Sequence, residues 1–130
     1  MEDTRVTFET AKLAKEKGFF QETNRLEIPY YNYKGEFKGD VSDWRIRKYI
    51  RGENTSDIEF VSAPTQSLLV KWLREEHNII VLVDYEGIDG YYYKFYSYKE
   101  GNKNYDASDK NYNTYEEALE AGIQEVLKLI

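Results

Sequence analysis

Three stretches of this chain open the way helices open, and their order limits what the rest can fold into. Thr7-Phe8-Glu9-Thr10-Ala11 and Thr114-Tyr115-Glu116-Glu117-Ala118 each set a Thr hydroxyl where it can accept from free backbone N–H groups, with carboxylates at the positive end of the new helix. Ser62-Ala63-Pro64-Thr65 is the third opening, with Pro64 placed in the first turn, where its missing N–H is not needed. Helical spacing continues after each opening. The first helix is expected from Phe8 to about Lys17, ended by Gly18 in the left-handed region with Phe19 folding back on Leu13 or Ala14. In the central helix Leu68, Leu69, Trp72 and Leu73 form an apolar stripe, and Asn78 is the stop. The last helix begins under a capping box, Thr114 with Glu117, and Tyr115, Ala118, Leu119, Gly122, Ile123, Val126, Leu127 and Ile130 trace one continuous face that must be buried. The paired helix starts are shared capping chemistry, not a duplication.

The intervening segments alternate or are too short for helices. Leu26, Ile28 and Tyr30 share one strand face, and Pro29 within that run implies an edge or bulged strand. Lys34-Gly35 makes a turn into a second strand at Glu36 to Lys38, completing a hairpin. Trp44 to Arg51 partly alternates and reads as a strand, Arg51 to Ser56 as a loop, and Ile58 to Val61 as a short extended piece. Ile79 to Val83 is apolar on both faces, as the middle strand of a sheet would be. A turn at Asp84 to Gly90 leads to a return strand reaching Tyr98, and the polar stretch Gly101 to Asn113 reads as a mobile loop or wide connection. The expected architecture is a single α+β domain over residues 1–130, a small, mainly antiparallel sheet with Ile79 to Val83 central and amphipathic helices on at least one face.

Composition narrows the function classes. The 130 residues suffice for one core without staples, and no Cys is present, so there is no disulfide framework, thiolate nucleophile or Cys-based zinc site. The acidic start Met1-Glu2-Asp3 does not look like a secretory signal, and the longest aliphatic run is far too short to cross a bilayer. A cytoplasmic protein without membrane contact is expected. The formal charge of −6 argues against a general nucleic-acid binder. The 13 Tyr are more than a small core needs, and they suit either a half-exposed sheet or a binding surface.

Candidate chemistry is sparse. His77, the sole histidine, falls in the last turn of the central helix, where a helix terminus explains it. Without a second His, a Cys or a nucleophile elbow, no triad or zinc set assembles. Asp84, Glu86 and Asp89 surround a turn, but their spacing misses the calcium-loop pattern, so no metal is assigned, and no cofactor is expected. No carboxylate pair among the 24 acidic residues singles itself out for hydrolase chemistry. Trp44, Arg45, Arg47, Tyr49 and Arg51 form a local basic and aromatic patch. It suits a nucleotide or other anion, or else is positive charge guarding an edge strand.

Ser62-Ala63-Pro64-Thr65-Gln66-Ser67-Leu68-Leu69-Val70-Lys71-Trp72-Leu73-Arg74-Glu75 resembles a motif of small uncharacterised proteins encoded by phages and prophages of gut anaerobic bacteria. The Val6 to Ala11 start, Gly18-Phe19, Tyr30 to Tyr33 and the closing Thr114 to Ile123 are similar to the same proteins, so the resemblance spans most of the chain outside Gly39 to Phe60 and Gly101 to Asn113. It implies phage origin and a bacterial host cytoplasm, and brings no established activity or catalytic residues. The expected function is therefore that of a non-enzymatic accessory protein that binds a host or phage protein, altering host physiology or a defence system. Its candidate contacts are Tyr92, Tyr96 and Tyr98 on one face of the return strand, with Tyr31 and Tyr33. The alternative is a nucleotide or anion binder using Trp44, Arg45, Arg47, Tyr49 and Arg51. A homo-oligomer through the edge strand or the aromatic sheet surface is compatible with either.

Overall fold

A computed structural model of the chain describes residues 4–19, 29–38, 61–99 and 102–130. It is an α+β structure in which the strands form two antiparallel three-stranded sheets, where the sequence predicts one. The chain divides into two compact units, Met1–Thr4 with Gln66–Ile130, and Arg5–Thr65.

The Arg5–Thr65 unit begins with α1 (Phe8–Glu16), and both of its ends form as the sequence predicts. The Thr7 hydroxyl accepts from the Thr10 N–H at 3.3 Å. At the other end Gly18 adopts φ +97, its N–H bonds the Lys15 carbonyl at 3.1 Å, and the Phe19 N–H returns to the Ala14 carbonyl at 2.9 Å. This is a Schellman closure, with Phe19 buried behind it. Strands β1 (Tyr30–Tyr31), β2 (Phe37–Lys38) and β3 (Val61–Ser62) pair in the order β2-β1-β3. The β1–β2 hairpin turns on Asn32, whose side-chain oxygen accepts from the N–H groups of Lys34 and Glu36, and on Gly35 at φ +81. Pro29 does not mark an edge. β1 is the middle strand, and Pro29 lies just outside it, where its carbonyl accepts from Ala63 and no N–H is required. Among the described residues, the buried apolar side chains of this unit include Val6, Ala11, Ala14, Phe19, Val61 and Ala63.

In the other unit α2 (Gln66–His77) runs into β4 (Ile79–Tyr85), then a 3₁₀ turn (Gly87–Asp89), β5 (Tyr91–Lys99), β6 (Asn102–Ala107) and α3 (Tyr115–Leu129). The helix-to-strand switch between α2 and β4 takes one residue, Asn78 at φ +56, as expected of a left-handed stop. Pro64 is not in the first turn of α2. Its carbonyl accepts from the Val6 N–H at 3.0 Å and Thr65 makes a bridge with Arg5, so the backbone stays extended there and the helix starts at Gln66. Thr114 caps α3, its hydroxyl accepting from the Glu117 N–H at 3.1 Å. The predicted stripe is buried from Ala118 to Leu127, while Tyr115 at its start is exposed.

Two strand assignments change. Among the described residues the sheet order is β4-β5-β6, so Ile79 to Val83 lies at an edge and the Tyr-rich β5 is central. Residues 102–107, which composition alone assigns to a loop, pair with β5 in continuous register from Lys99↔Asn102 to Lys94↔Ala107. Ile79 and Val81 are buried but Leu82 is 41% exposed, so the apolar run covers one buried and one open face, not two buried faces. Leu69, Leu73, Ile123, Val126 and Leu127 are fully buried in this unit. No described helix is long and apolar enough to cross a membrane.

Candidate functional site: an open tyrosine-bearing sheet face

Side chains alternate across a strand, so the pairing of β4, β5 and β6 sorts their residues onto two faces. One face carries Ile79, Val81, Tyr93 and Phe95, with Tyr93 opposite Val83 and Phe95 opposite Val81. α3 packs on it so closely that a Cβ at Gly122 would come within 2.9 Å of the Tyr93 Cβ and 3.2 Å of a Val81 methyl.

Among the residues whose side chains are described, the other face holds three cross-strand rows, Asp84 with Tyr92, Leu82 with Lys94 and Ala107, and Ile80 with Tyr96 and Tyr105, and the register continues to Tyr98 paired with Lys103. At one end the Lys94 ammonium lies 3.2 Å from the Asp84 carboxylate, the Tyr92 hydroxyl donates to the same oxygen at 3.4 Å, and the Tyr85 N–H donates to the other oxygen at 2.9 Å. Further along the face the Tyr96 and Tyr105 rings pack with centroids 5.0 Å apart at a 40° tilt. Between them Leu82 is 41% exposed, and Tyr105 is 55% exposed.

On this face the Asp84 and Lys94 charges meet each other. The Tyr85 backbone N–H and then Lys94 hold the Asp84 carboxyl below its ordinary range, and the hydrogen bond to Asp84 holds Lys94 above its own, against the opposing effect of its partial desolvation. Desolvation first, and the Asp84 charge second, raise the Tyr92 phenol. Asp84 and Lys94 are therefore both ionised at neutral pH and neutralise each other. This pair offers no free base and no deprotonated amine, and beside it the described side chains present contact area: two tilted rings, a leucine and tyrosine hydroxyls.

Of the residues singled out from sequence, Tyr92 and Tyr96 lie on this face, and Tyr98 shares their strand parity in β5. Tyr31 and Tyr33 belong to the other unit. Tyr31 is a packing residue: its hydroxyl donates to the Val6 carbonyl and its ring sits 5.6 Å from Phe8 and 5.8 Å from Phe37. Tyr33 is exposed beside the hairpin turn with the Lys34 ammonium over its ring. Trp44, Arg45, Arg47, Tyr49 and Arg51 lie outside the described residues. His77 ends α2, with its ring at an edge-on 4.7 Å from Trp72. Asp84, Glu86 and Asp89 do not converge: Asp84 turns to Lys94, and Glu86 accepts from the Asn111 amide at 3.2 Å. Among the described residues no group of three or more His, Asp or Glu is placed to hold a metal ion.

Leu82, Lys94 and Tyr105 are not legible as site residues in the sequence. Leu82 is masked by its aliphatic neighbours, and Tyr105 is a single strand-former among Asn, Asp and Lys, too little to signal a strand. Compared with known proteins, the chain matches no family model, no curated protein and no solved structure.

Proposed function

We propose that the chain is a non-enzymatic accessory protein, of the phage type its sequence resembles, that acts by binding a host or phage protein through the open face of the β4-β5-β6 sheet. The observation that carries this is the exposed apolar and aromatic surface of Leu82 and Tyr105 beside Tyr96, on a strand framework braced from behind by α3. Tyr and Leu held on a sheet lose little conformational freedom on binding, which favours their use as anchors. The Asp84–Lys94 pair supports the same reading, because a self-neutralised charge pair costs a partner less to cover than an isolated charge.

The test is affinity capture from a host lysate with the full chain, comparing the wild type with the double variant Tyr96→Ala/Tyr105→Ala and with a control altered on α1, Lys12→Ala. A stoichiometric protein partner that the double variant loses and the control keeps is the expected result. A partner retained by the double variant, or recovery of a small anionic molecule in place of a protein, overturns the assignment.

A further inference from the structure

The hairpin between β4 and β5 ends in an exposed apolar knob. Ile88 is 104% exposed, more than in an extended reference chain, at the apex of the Gly87–Asp89 turn. Single exposed aliphatic residues are ordinary on protein surfaces. What sets this one apart is its bracing and its neighbours. The Glu86 N–H bonds the Gly90 carbonyl at 2.7 Å across the turn, and Gly87 and Gly90 both have positive φ, at +67 and +95. Tyr91 and Tyr112 exchange backbone hydrogen bonds at 2.9 and 2.6 Å, and Asn111 ties Glu86, so residues 111–112 fix the base of the turn. A ladder of rings continues from that base: Tyr85 to Tyr91 at 5.0 Å and Tyr91 to Tyr115 at 6.3 Å, with Tyr85 and Tyr115 exposed.

The charge around the knob is one-sided. Glu86, Asp89, Glu116 and Glu117 are all exposed, and residues 85–91 and 113–117 contain no Lys or Arg; of the two cations that flank these stretches in sequence, Lys94 is paired with Asp84 at 3.2 Å and Lys110 lies over the Tyr112 ring at 5.0 Å. An apolar tip rimmed by carboxylates repels an anionic lipid surface and complements an apolar segment of a protein flanked by Lys or Arg. We propose that Ile88, with Tyr85, Tyr91 and Tyr115, is a preorganised docking knob for an apolar segment of a partner protein that is flanked by Lys or Arg. This site is at the hairpin end of the sheet and does not depend on the face of Leu82, Tyr96 and Tyr105.

The test uses the ¹⁵N-labelled full chain in amide chemical-shift titrations with two blocked synthetic peptides, each with a Leu-Phe-Leu centre, one flanked by Lys and the other by Glu. The Lys-flanked peptide is expected to shift the amides of Gly87 to Gly90 and Tyr115 to Glu117, to weaken about tenfold on Ile88→Ser, and to weaken with added salt. Ile88 makes no core contribution, so this variant keeps its fold, which the unchanged remainder of the spectrum verifies. Leu82→Ser should leave the titration unaltered, which separates this site from the open face. Equal response to both peptides, no response to either, or a response indifferent to Ile88→Ser overturns the proposal. So does Ile88-dependent binding to phosphatidylcholine vesicles containing phosphatidylglycerol.

Discussion

Gly90 carries two constraints at once. Its φ of +95 strains any L side chain, and a Cβ there would land on the Tyr112 carbonyl oxygen, a backbone atom that cannot swing aside. Gly87 shares only the first, at φ +67 with nothing within 4 Å of an added Cβ. Gly90→Ala should therefore cost more than about 2 kcal/mol and disturb the Tyr91–Tyr112 bridge, whereas Gly87→Asn, whose side chain tolerates the left-handed region, should cost less than about 1 kcal/mol. Urea unfolding of the two variants measures the contrast, and similar midpoints for both would contradict it. Tyr93 and Tyr112 set the alkaline limit in the same residue-by-residue way. Burial, and then the Glu125 charge, raise both phenols above their ordinary value of 10.0. A folded state that holds these protons more tightly keeps its full contribution below that value and loses it as pH rises above it, through the raised folded values. Stability followed by circular dichroism should fall as pH climbs above about 10, and Tyr112→Phe should flatten part of that fall.

At the scale of elements, the helices are legible in the sequence because their signals are local. A Thr hydroxyl three residues from the N–H it caps, Gly18 and Asn78 where the chain must turn left-handed, and an unbroken stripe along α3 are each decided within one or two turns of sequence. The strands are less legible because a strand is made by its partner. Residues 102–107 are polar and become β6 through the register offered by β5, while the aliphatic run of β4 implies a central position that the topology gives to the tyrosines. The candidate face is half visible for the same reason: Tyr92 and Tyr96 follow from alternation within β5, but Leu82 and Tyr105 join them only across strands. Gly122 shows how far such packing overrides propensity. Gly122→Ala should gain about 1 kcal/mol of helix propensity, yet its methyl would meet the Tyr93 Cβ at 2.9 Å, and that atom moves only with its strand. A net destabilisation of about 1 kcal/mol or more in thermal or urea melts is expected, with a net gain showing that α3 can lift from the sheet without cost.

At the scale of the whole molecule the two units differ in what holds them. Four large aliphatic side chains, Leu69, Leu73, Ile123 and Leu127, are fully buried together with Val126 in the unit of Gln66–Ile130, beneath strands that pair over as many as seven residues. The described part of the Arg5–Thr65 unit has strands of two residues, and its fully buried side chains are smaller, Val6, Thr10, Val61 and Pro64. Burial of each Leu or Ile contributes about 1.5–3 kcal/mol, so among the described residues the larger buried reserve lies in the unit of Gln66–Ile130. Native-state hydrogen exchange on the full chain should find the slowest amides in β5 and α3, and those of β1, β2 and β3 opening at a lower free energy and with less denaturant dependence. Equal opening free energies across all the strands would mean that the two units unfold as one. In that case Leu73→Ala, expected to cost about 2–5 kcal/mol, would speed exchange in β1 as much as in β5, whereas with independent reserves it would act on β4, β5 and α3 and spare the α1 amides.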